Sequence, residues 1–455
     1  MVFNSLAFVV TFPFIVFAYY IVPEKIKNIF LFLVSICFYA CFKIAYVPIL
    51  LGVIVISYIS AIKMGEKDKE SKQKILVTDI VIMVGILLYF KCMNTLPLGV
   101  SFYTFVAMGY LIDVYRGKIL AEKNFIAFGT FVAFFPPLLS GPIERANGLL
   151  CQIKAKKIFN EERILLGVCQ MLWGYFQKVV IADRIAVIVN AIYDNDVNYT
   201  GIYVLVATIL YAFQIYCDFA GYSNLAIGAA GILGIELRKN FNVPYQAVNI
   251  SDFWDRWHIS LSTWLRDYVY ISLGGNRKGQ LKKYGNLLIT FLVSGIWHGV
   301  NWTFIVWGAL HGIYSIIHSM LTSKTNNINK HKYLKIVGTF ILVDFAWLFF
   351  RANSVRHAFR LIKKMVLELD VFSLFNYEMA ISMGMELLDI AVLVIALLIL
   401  VIVDLTNERV KYGKKIIILP LWIRWCVFYI MIFTILIFGY YGPGFNAAQF
   451  IYAQF

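Results

Sequence analysis

The sequence predicts an all-α protein that crosses a membrane many times. Of its 455 residues, 61% are hydrophobic, whereas soluble domains average ~45–50%. The mean hydropathy is +0.75. Apolar runs of about 17–25 residues, the length that crosses ~30 Å of hydrocarbon, recur along the chain. The ~10-residue alternating segments typical of a transmembrane β-barrel do not occur in the sequence. These features exclude a water-soluble fold.

About eleven spans are expected. The first is interpreted as a retained span rather than a signal peptide, because no basic region precedes its apolar run. Over 96–145 the apolar sequence is broken by prolines and glycines, which we expect to be buried in protein or to line a wet cavity. The seven cysteines are scattered, so no bound cofactor or metal is predicted. The expected spans are 6–22, 28–45, 47–63, 75–91, 163–190, 201–233, 285–300, 303–320, 336–350, 384–404 and 418–440.

The net charge of +15 is concentrated in short connectors, which the positive-inside rule assigns to the cytoplasm. The acidic segment 194–199 and the uncharged tail 439–455 are assigned to the outside. One basic segment, 351–364, also falls outside by span count. Either that count is wrong, or an outward helix meets an anionic polymer or a partner. The cytoplasmic connectors are 63–74, 276–283, 323–335 and 408–415.

The stretch "SGIWHGVNW" (294–302) places a histidine inside an apolar run. Because the connectors on both sides are cytoplasmic, the chain over 285–320 has to rise and return, and its turn-like residues are "HGVN". Thirteen residues of helix rise about 20 Å, so His298 is predicted at the apex of a hairpin whose glycines allow close helix contact. A neutral imidazole buried there accepts a proton as a general base does. The alternative is a packing residue.

A second constellation is "FWDRWHISLSTWLRDYVYISLGG" (253–275). Its tryptophans follow the i, i+3, i+4, i+7 spacing of one interfacial helix, with His258 on the tryptophan side. Among the other polar residues, we expect His311 to pack against a neighbouring helix and His357 to be solvated. For the intramembrane Asp218, two roles stay open: pairing with a cation or backbone donor, or lining a pathway.

The two histidine segments together resemble the membrane-bound O-acyltransferase superfamily, in the bacterial branch of the alginate O-acetyltransferase membrane component. The resemblance runs nearly end to end and is most specific over 240–279 and in "GIWHGVNWTFIVWGALHG" (295–312). It implies one integral-membrane domain over 1–455, with a catalytic core at 235–320. In that fold the spans, re-entrant helices and interfacial helices surround a central tunnel.

The resemblance also implies an activity. An acyl group, most often acetyl, is transferred from a cytoplasmic thioester, either acetyl-CoA or an acyl carrier protein. The acceptor is an extracellular polysaccharide or another cell-wall polymer, often reached through an extracytoplasmic esterase-like partner protein. The family's essential histidine corresponds to His298, and His258 is a second catalytic candidate. The residues expected to line the substrate tunnel are Trp297, Asn301, Trp302, Trp257 and Asp218.

The C-terminal "FIYAQF" (450–455) resembles an aromatic motif in which a tyrosine, here Tyr452, is proposed to carry the acyl group briefly. The alternative is an aromatic anchor at the membrane interface, and Ala453 departs from the second aromatic residue that the motif normally has. Two other functions compete with acyl transfer to a polysaccharide: D-alanyl transfer to teichoic acid, favoured less because of "LGGNRKG", and a polysaccharide flippase or transporter. Membrane lipid is an expected partner, whereas nucleic acid is not, because the basic connectors lack interleaved aromatic residues.

Overall fold

The computed structural model describes residues 3–93, 95–322, 331–375, 381–406 and 409–441. Within these ranges the regular secondary structure is helical. The α-helices are α1 (Leu6–Ile21), α2 (Lys27–Ala40), α3 (Val47–Glu66), α4 (Lys69–Cys92), α5 (Val100–Tyr115), α6 (Phe125–Ala133), α7 (Phe135–Leu138), α8 (Ala146–Lys154), α9 (Glu161–Tyr175), α10 (Asp183–Asp194), α11 (Gly201–Ile232), α12 (Ile250–Arg256), α13 (Ile259–Leu265), α14 (Gln280–His298), α15 (Trp302–Thr322), α16 (Lys332–Arg351), α17 (Val355–Leu367), α18 (Leu387–Thr406), α19 (Arg409–Ile417) and α20 (Leu421–Phe438).

The prediction of an all-α, multi-pass membrane protein is confirmed. In the described part of the chain, eight helical segments are long and apolar enough to cross a bilayer. Each of the eleven expected spans coincides with a helix, but α1, α2 and α14 are not among the eight, so the count of eleven stays a prediction. The eight are Ile44–Gly65, Lys69–Cys92, Glu161–Asp194, Gly201–Ile232, Trp302–Leu321, Lys332–Arg351, Leu387–Thr406 and Leu421–Phe438.

The chain forms two compact units. Among the described residues, those within 3–174 and 222–240 belong to unit 1, and those within 175–221 and 241–441 belong to unit 2. The breaks after 174 and after 221 fall inside the continuous helical segments 161–194 and 201–232, so each of these long helices contributes to both units. Both predicted catalytic histidines belong to unit 2.

In unit 1, the prolines and glycines that interrupt 96–145 are buried, apart from Gly117 in the exposed connector between α5 and α6. Almost every residue of α5 is buried, and the chain after it proceeds through the short helices α6 and α7. Gly99 precedes α5 in a left-handed conformation with φ +81°. A Cβ there would collide with the carbonyl oxygen of Leu138, so glycine is required both by the backbone angle and by this close approach.

In unit 2, α14 and α15 form the predicted hairpin. Added Cβ atoms on Gly295 and Gly308 would collide with the carbonyl oxygens of Phe304 and Phe291, so the two helices approach to backbone contact. The height of the hairpin differs from the prediction. Because α14 begins at Gln280, with the basic residues in its first turn, His298 stands about 27 Å along the helix rather than 20 Å.

The prediction of a single helix over 253–275 is wrong. Helix α12 ends at Arg256, α13 begins at Ile259, and His258 between them has a left-handed backbone with φ +42°. A π-helical turn, Arg266–Tyr270, follows α13. Periodicity does not reveal this break, because one residue in a left-handed conformation interrupts the helix without changing the sequence spacing of the aromatic residues.

The basic segment 351–364, which span counting places outside, lies largely in the amphipathic helix α17. Its cationic side chains bind other residues of this protein. The guanidinium of Arg360 donates two hydrogen bonds of 2.7 Å to the carboxylate of Asp196. Lys364 donates to the carbonyl oxygen of Tyr199 at 2.9 Å. The expectation that His357 is solvated is wrong: its side chain is buried, with Nε2 3.7 Å from Asp196 Oδ1. The positive charge of this segment therefore neutralises the acidic connector at 194–199.

Candidate active site

His298 is the last residue of α14, and its side chain is 3% exposed. Three aromatic rings surround the imidazole. Their centroids lie 4.8 Å away for Trp297, 5.1 Å for Trp307 and 5.1 Å for Phe350. The helix ends here because Gly299 adopts an extended conformation, and α15 begins three residues later. The predicted position at the tip of the hairpin is confirmed.

His258 belongs to the same aromatic cluster. Its imidazole is fully buried, with the ring of Phe219 4.6 Å away and that of Trp297 6.1 Å away. Trp297 thus touches both predicted catalytic histidines. Burial lowers the pKa of His258 to about 3, so this imidazole is neutral at physiological pH. A non-glycine residue held in a left-handed conformation at such a position is typical of functional sites, where surrounding packing maintains the strain.

The remaining residues predicted to line the tunnel fall in different places. Trp257 is buried and packs against Trp347 at 4.9 Å, beside the histidine cluster. Trp302 is 71% exposed. Asn301 is exposed as well, and its side-chain amide donates to the carbonyl oxygen of Asn353 at 3.2 Å. These two residues form the outer turn of the hairpin rather than the buried cluster.

Asp218 lies in a buried charge cluster. Lys178 Nζ is 2.6 Å from Asp218 Oδ1 and 2.7 Å from Asp183 Oδ1, and all three side chains are largely buried. Lys178 sits in a π-helical turn (Phe176–Ala182), a distortion that recurs at functional sites. Asp218 therefore pairs with a cation, the first of its two expected roles, and the lining of a pathway stays a prediction. Tyr452 lies outside the described residues.

Sequence reasoning missed a cavity of about 660 Å³ in unit 2. It extends along α14 from Gln280 and Lys283, in the first turn, to Ser294, one helical turn before His298. Arg266, in the π-helical turn after α13 and 3.2 Å from the carboxylate of Asp267, adds a second cation to its wall, and Asp255 adds an anion. The end of the cavity that holds Lys283 is adjacent to the basic connector 276–283, which is predicted to be cytoplasmic.

One signal in the sequence does indicate this cavity. Thr290 and Ser294 precede His298 by eight and four residues, so all three share one face of α14. On α15, Ser315 and Ser319 are likewise four residues apart, and these four hydroxyl residues line the cavity. A polar stripe on two facing apolar helices predicts a polar space between them, because buried hydroxyl groups otherwise bond only to their own backbone.

The structure therefore defines a polytopic membrane protein with two buried histidines in contact with one tryptophan, beside a partly open cavity whose wall includes Lys283 and Arg266. Within that class, the chain belongs to the membrane-bound O-acyltransferase family, whose model matches residues 118–356. It is an O-acyltransferase and a multi-pass protein of the bacterial cell membrane.

Several known proteins are similar to this chain. A probable alginate O-acetylase of Pseudomonas putida is 36% identical over 88% of this chain and 86% of its own length. A peptidoglycan O-acetyltransferase of Helicobacter pylori is 34% identical over 80% of both chains. A teichoic acid D-alanyltransferase of Streptococcus thermophilus is 30% identical over 56% of this chain and 67% of its own. The resemblance seen in the sequence motifs is confirmed.

Proposed function

We propose that this O-acyltransferase moves an acyl group, in the first instance acetyl, from a cytoplasmic thioester across the membrane to a hydroxyl of an extracellular polysaccharide or cell-wall polymer. The names of the alginate and peptidoglycan relatives support a polysaccharide-containing acceptor and an acetyl donor. The observation that carries the proposal is the position of His298: it is buried at the tip of the hairpin, one turn beyond a cavity that runs along α14.

The cavity suits a thioester donor. Lys283 and Arg266 line it, and cations of this kind bind the phosphate groups that both coenzyme A and a carrier-protein arm possess. From Lys283 to Ser294 the helix rises about 16 Å, so an extended arm bound at the cationic end directs its acyl terminus toward His298. An extracytoplasmic esterase-like protein is proposed as the partner that completes delivery to the polymer.

The proposed chemistry needs one proton carrier. A neutral His298 accepts the proton of the attacking hydroxyl as its oxygen bonds to the thioester carbonyl carbon. The tetrahedral intermediate then collapses, the carbon–sulfur bond breaks, and the departing thiolate takes the proton from the imidazolium. No net proton is consumed, so the site requires no external acid or base. Because His258 is neutral and contacts the same tryptophan ring as His298, that of Trp297, we assign it to the same acyl-transfer pathway.

Replacement of His298 by alanine is expected to abolish polymer acylation, because general-base catalysis contributes on the order of 10²–10⁴ in rate. The measurement is the ester content of the envelope polymer in cells producing each variant at equal membrane levels. His331→Ala is the matched control, since His331 is exposed at the start of α16. Normal esterification by His298→Ala would refute the proposed mechanism.

We further propose Tyr452 as a transient acyl carrier: its phenol oxygen, deprotonated by His298, attacks the thioester and forms an aryl ester that the acceptor hydroxyl then cleaves. Tyr452→Phe keeps the aromatic ring and removes the nucleophile, so acylation is expected to fall by at least tenfold. The ester assay used for His298 checks this. Full acylation by Tyr452→Phe would show that the tail acts only as an aromatic anchor. The acceptor hydroxyl would then attack the thioester directly.

D-alanyl transfer is the second candidate, supported by the similarity to the teichoic acid D-alanyltransferase. The two functions share the site but differ in the donor. Supplying the purified protein with acetyl-CoA, an acetylated carrier protein or a D-alanylated carrier protein separates them, because only the natural donor is expected to be consumed with multiple turnovers.

A further inference from the structure

A third histidine, His311 of α15, is fully buried one aromatic ring away from His298. The ring of Trp307 lies 5.1 Å from His298 and 5.0 Å from His311. His311 also contacts Trp254, at 5.1 Å, and lies nearly parallel to Phe253, at 6.1 Å. The prediction that His311 packs against a neighbouring helix is therefore confirmed, since Phe253 and Trp254 belong to α12.

Packing alone does not explain why this residue is a histidine. Within the described part of the chain, neither Nδ1 nor Nε2 of His311 has a hydrogen-bond partner. A neutral imidazole has one N–H donor and one acceptor nitrogen, and burial of both without partners costs free energy that an apolar side chain of similar size avoids. That cost is recovered when a ligand brings a complementary donor and acceptor.

The cavity provides the route by which such a ligand arrives. Trp254 and Phe291 line the cavity, and their rings lie 5.1 Å and 6.2 Å from that of His311. Ser315, one helical turn beyond His311, lines it as well. His311 thus stands directly behind the part of the cavity wall that Trp254 and Phe291 form.

We propose that His311 is a binding residue for the acyl donor, holding an amide of its arm by hydrogen bonds when Trp254 turns aside. The proposal rests on the proposed function. Coenzyme A and carrier proteins present the same phosphopantetheine arm, whose amide groups each offer a carbonyl acceptor and an N–H donor, the complement of a neutral imidazole. His298 handles the proton, whereas His311 fixes the position of the arm whose thioester is attacked.

The test compares donor binding by the wild type, His311→Phe and His311→Gln in lipid nanodiscs. The probes are acetyl-CoA and an acetylated acyl carrier protein, each with a radiolabelled acetyl group. His311→Phe keeps an aromatic ring but removes both nitrogens, so it is expected to weaken binding of the natural donor about tenfold and to raise KM by a similar factor, with kcat little changed. His311→Gln restores a donor and an acceptor and is expected to recover most of the affinity.

Tyr314→Phe is the matched control, because it removes a polar atom from a ring 6.0 Å from His311 on the same helix and leaves the imidazole intact. Its donor affinity is expected to equal that of the wild type. Wild-type affinity in His311→Phe would overturn the inference. Should that variant fail to fold, His311→Leu replaces it, and equal binding by His311→Leu and His311→Gln would be the contradicting result.

The outcomes also separate this inference from the proposed function. A wild-type protein that binds neither probe contradicts both. A wild-type protein that binds and consumes one probe, together with an unaffected His311→Phe, contradicts the role of His311 alone. The probe that the wild type prefers identifies the source of the arm, and the His311 effect is expected with that probe whichever source it is.

Discussion

At the scale of single residues, the backbone and burial of His258 are unusual together. Its left-handed φ of +42° is disfavoured for a residue with a Cβ, and its imidazole is completely enclosed. Phe219 and Trp297 hold the ring from α11 and α14. We interpret this strain as the means by which the chain aims His258 into the cluster that contains His298.

The buried histidine predicts a pH dependence of stability. In the unfolded chain His258 binds a proton below its ordinary pKa of 6.5, whereas burial lowers the pKa in the folded protein to about 3. Between these values the unfolded state binds more protons, so stability is full above pH 6.5 and is lost as pH falls toward 3. Thermal unfolding in detergent is expected to shift to lower temperature over this range.

His258→Asn should flatten part of that pH dependence, since asparagine tolerates the left-handed conformation and does not titrate. His331→Asn is the control, because it makes the same substitution at an exposed histidine outside the cluster. An identical slope in wild type and His258→Asn would contradict the assignment of the dependence to this imidazole.

Single residues could be placed from the sequence where the signals are local, and could not where their partners are distant along the chain. His298 was located from the sequence because its neighbours are turn residues between two cytoplasmic connectors, and both signals are local. The solvation of His357 was misjudged because its partner, Asp196, is distant in sequence. The same holds for His311, whose unpartnered nitrogens depend on what α12 and α16 place around it.

At the scale of elements, the α14–α15 hairpin is held together by glycine contacts, so added side-chain volume should separate its arms. Gly295→Ala places a methyl group against the carbonyl oxygen of Phe304. We expect it to cost about 1–3 kcal/mol, seen as a lower thermal unfolding temperature and reduced acyl transfer. The cause of the activity loss would be displacement of His298, three residues further along α14 near the tip.

Gly285→Ala is the control within the same helix. A Cβ at Gly285 meets nothing within 4 Å, and alanine is the better helix former by about 1 kcal/mol. This variant should therefore be as stable as the wild type or slightly more so. Equal unfolding temperatures for Gly295→Ala and Gly285→Ala would show that the hairpin is looser than the structure indicates.

Helical periodicity predicted this hairpin because both arms are long and continuous. It failed at α12 and α13, where the aromatic spacing suits one helix although the chain breaks at His258. The sequence does not explain why the basic helix α17 lies on the side that span counting gives it. Its amphipathic pattern is visible in the sequence, but the hydrogen bonds from Arg360 to Asp196 join residues 164 positions apart. Such a partner is visible only in the folded chain.

At the scale of the whole molecule, the direction of the proposed acyl transfer depends on which membrane face each connector occupies. The cationic end of the cavity, at Lys283, opens toward a cytoplasmic donor only if the connector 276–283 is cytoplasmic. The acidic connector that contains Asp196 is correspondingly predicted to lie outside. The eight apolar helices fix the class of the protein but not its orientation, which rests on the distribution of charge.

Cysteine labelling tests this orientation directly. In a variant with the native cysteines replaced, Val197→Cys and Lys278→Cys each add one thiol at an exposed position. A membrane-impermeant maleimide applied to intact spheroplasts is expected to label Val197→Cys and to label Lys278→Cys only after permeabilisation. Labelling of Lys278→Cys in intact spheroplasts would place the donor cavity on the wrong side.

Single-turnover kinetics in proteoliposomes shows whether His298 is the base for acyl transfer from a donor bound in the adjacent cavity. Wild type and His298→Ala are loaded with the same labelled thioester donor, and donor binding and transfer are measured in the same sample. We expect the two proteins to bind the donor equally, and the transfer rate of His298→Ala to be lower than that of the wild type by a factor on the order of 10²–10⁴. Transfer at the wild-type rate, with the imidazole absent, would contradict the role of His298 as the base.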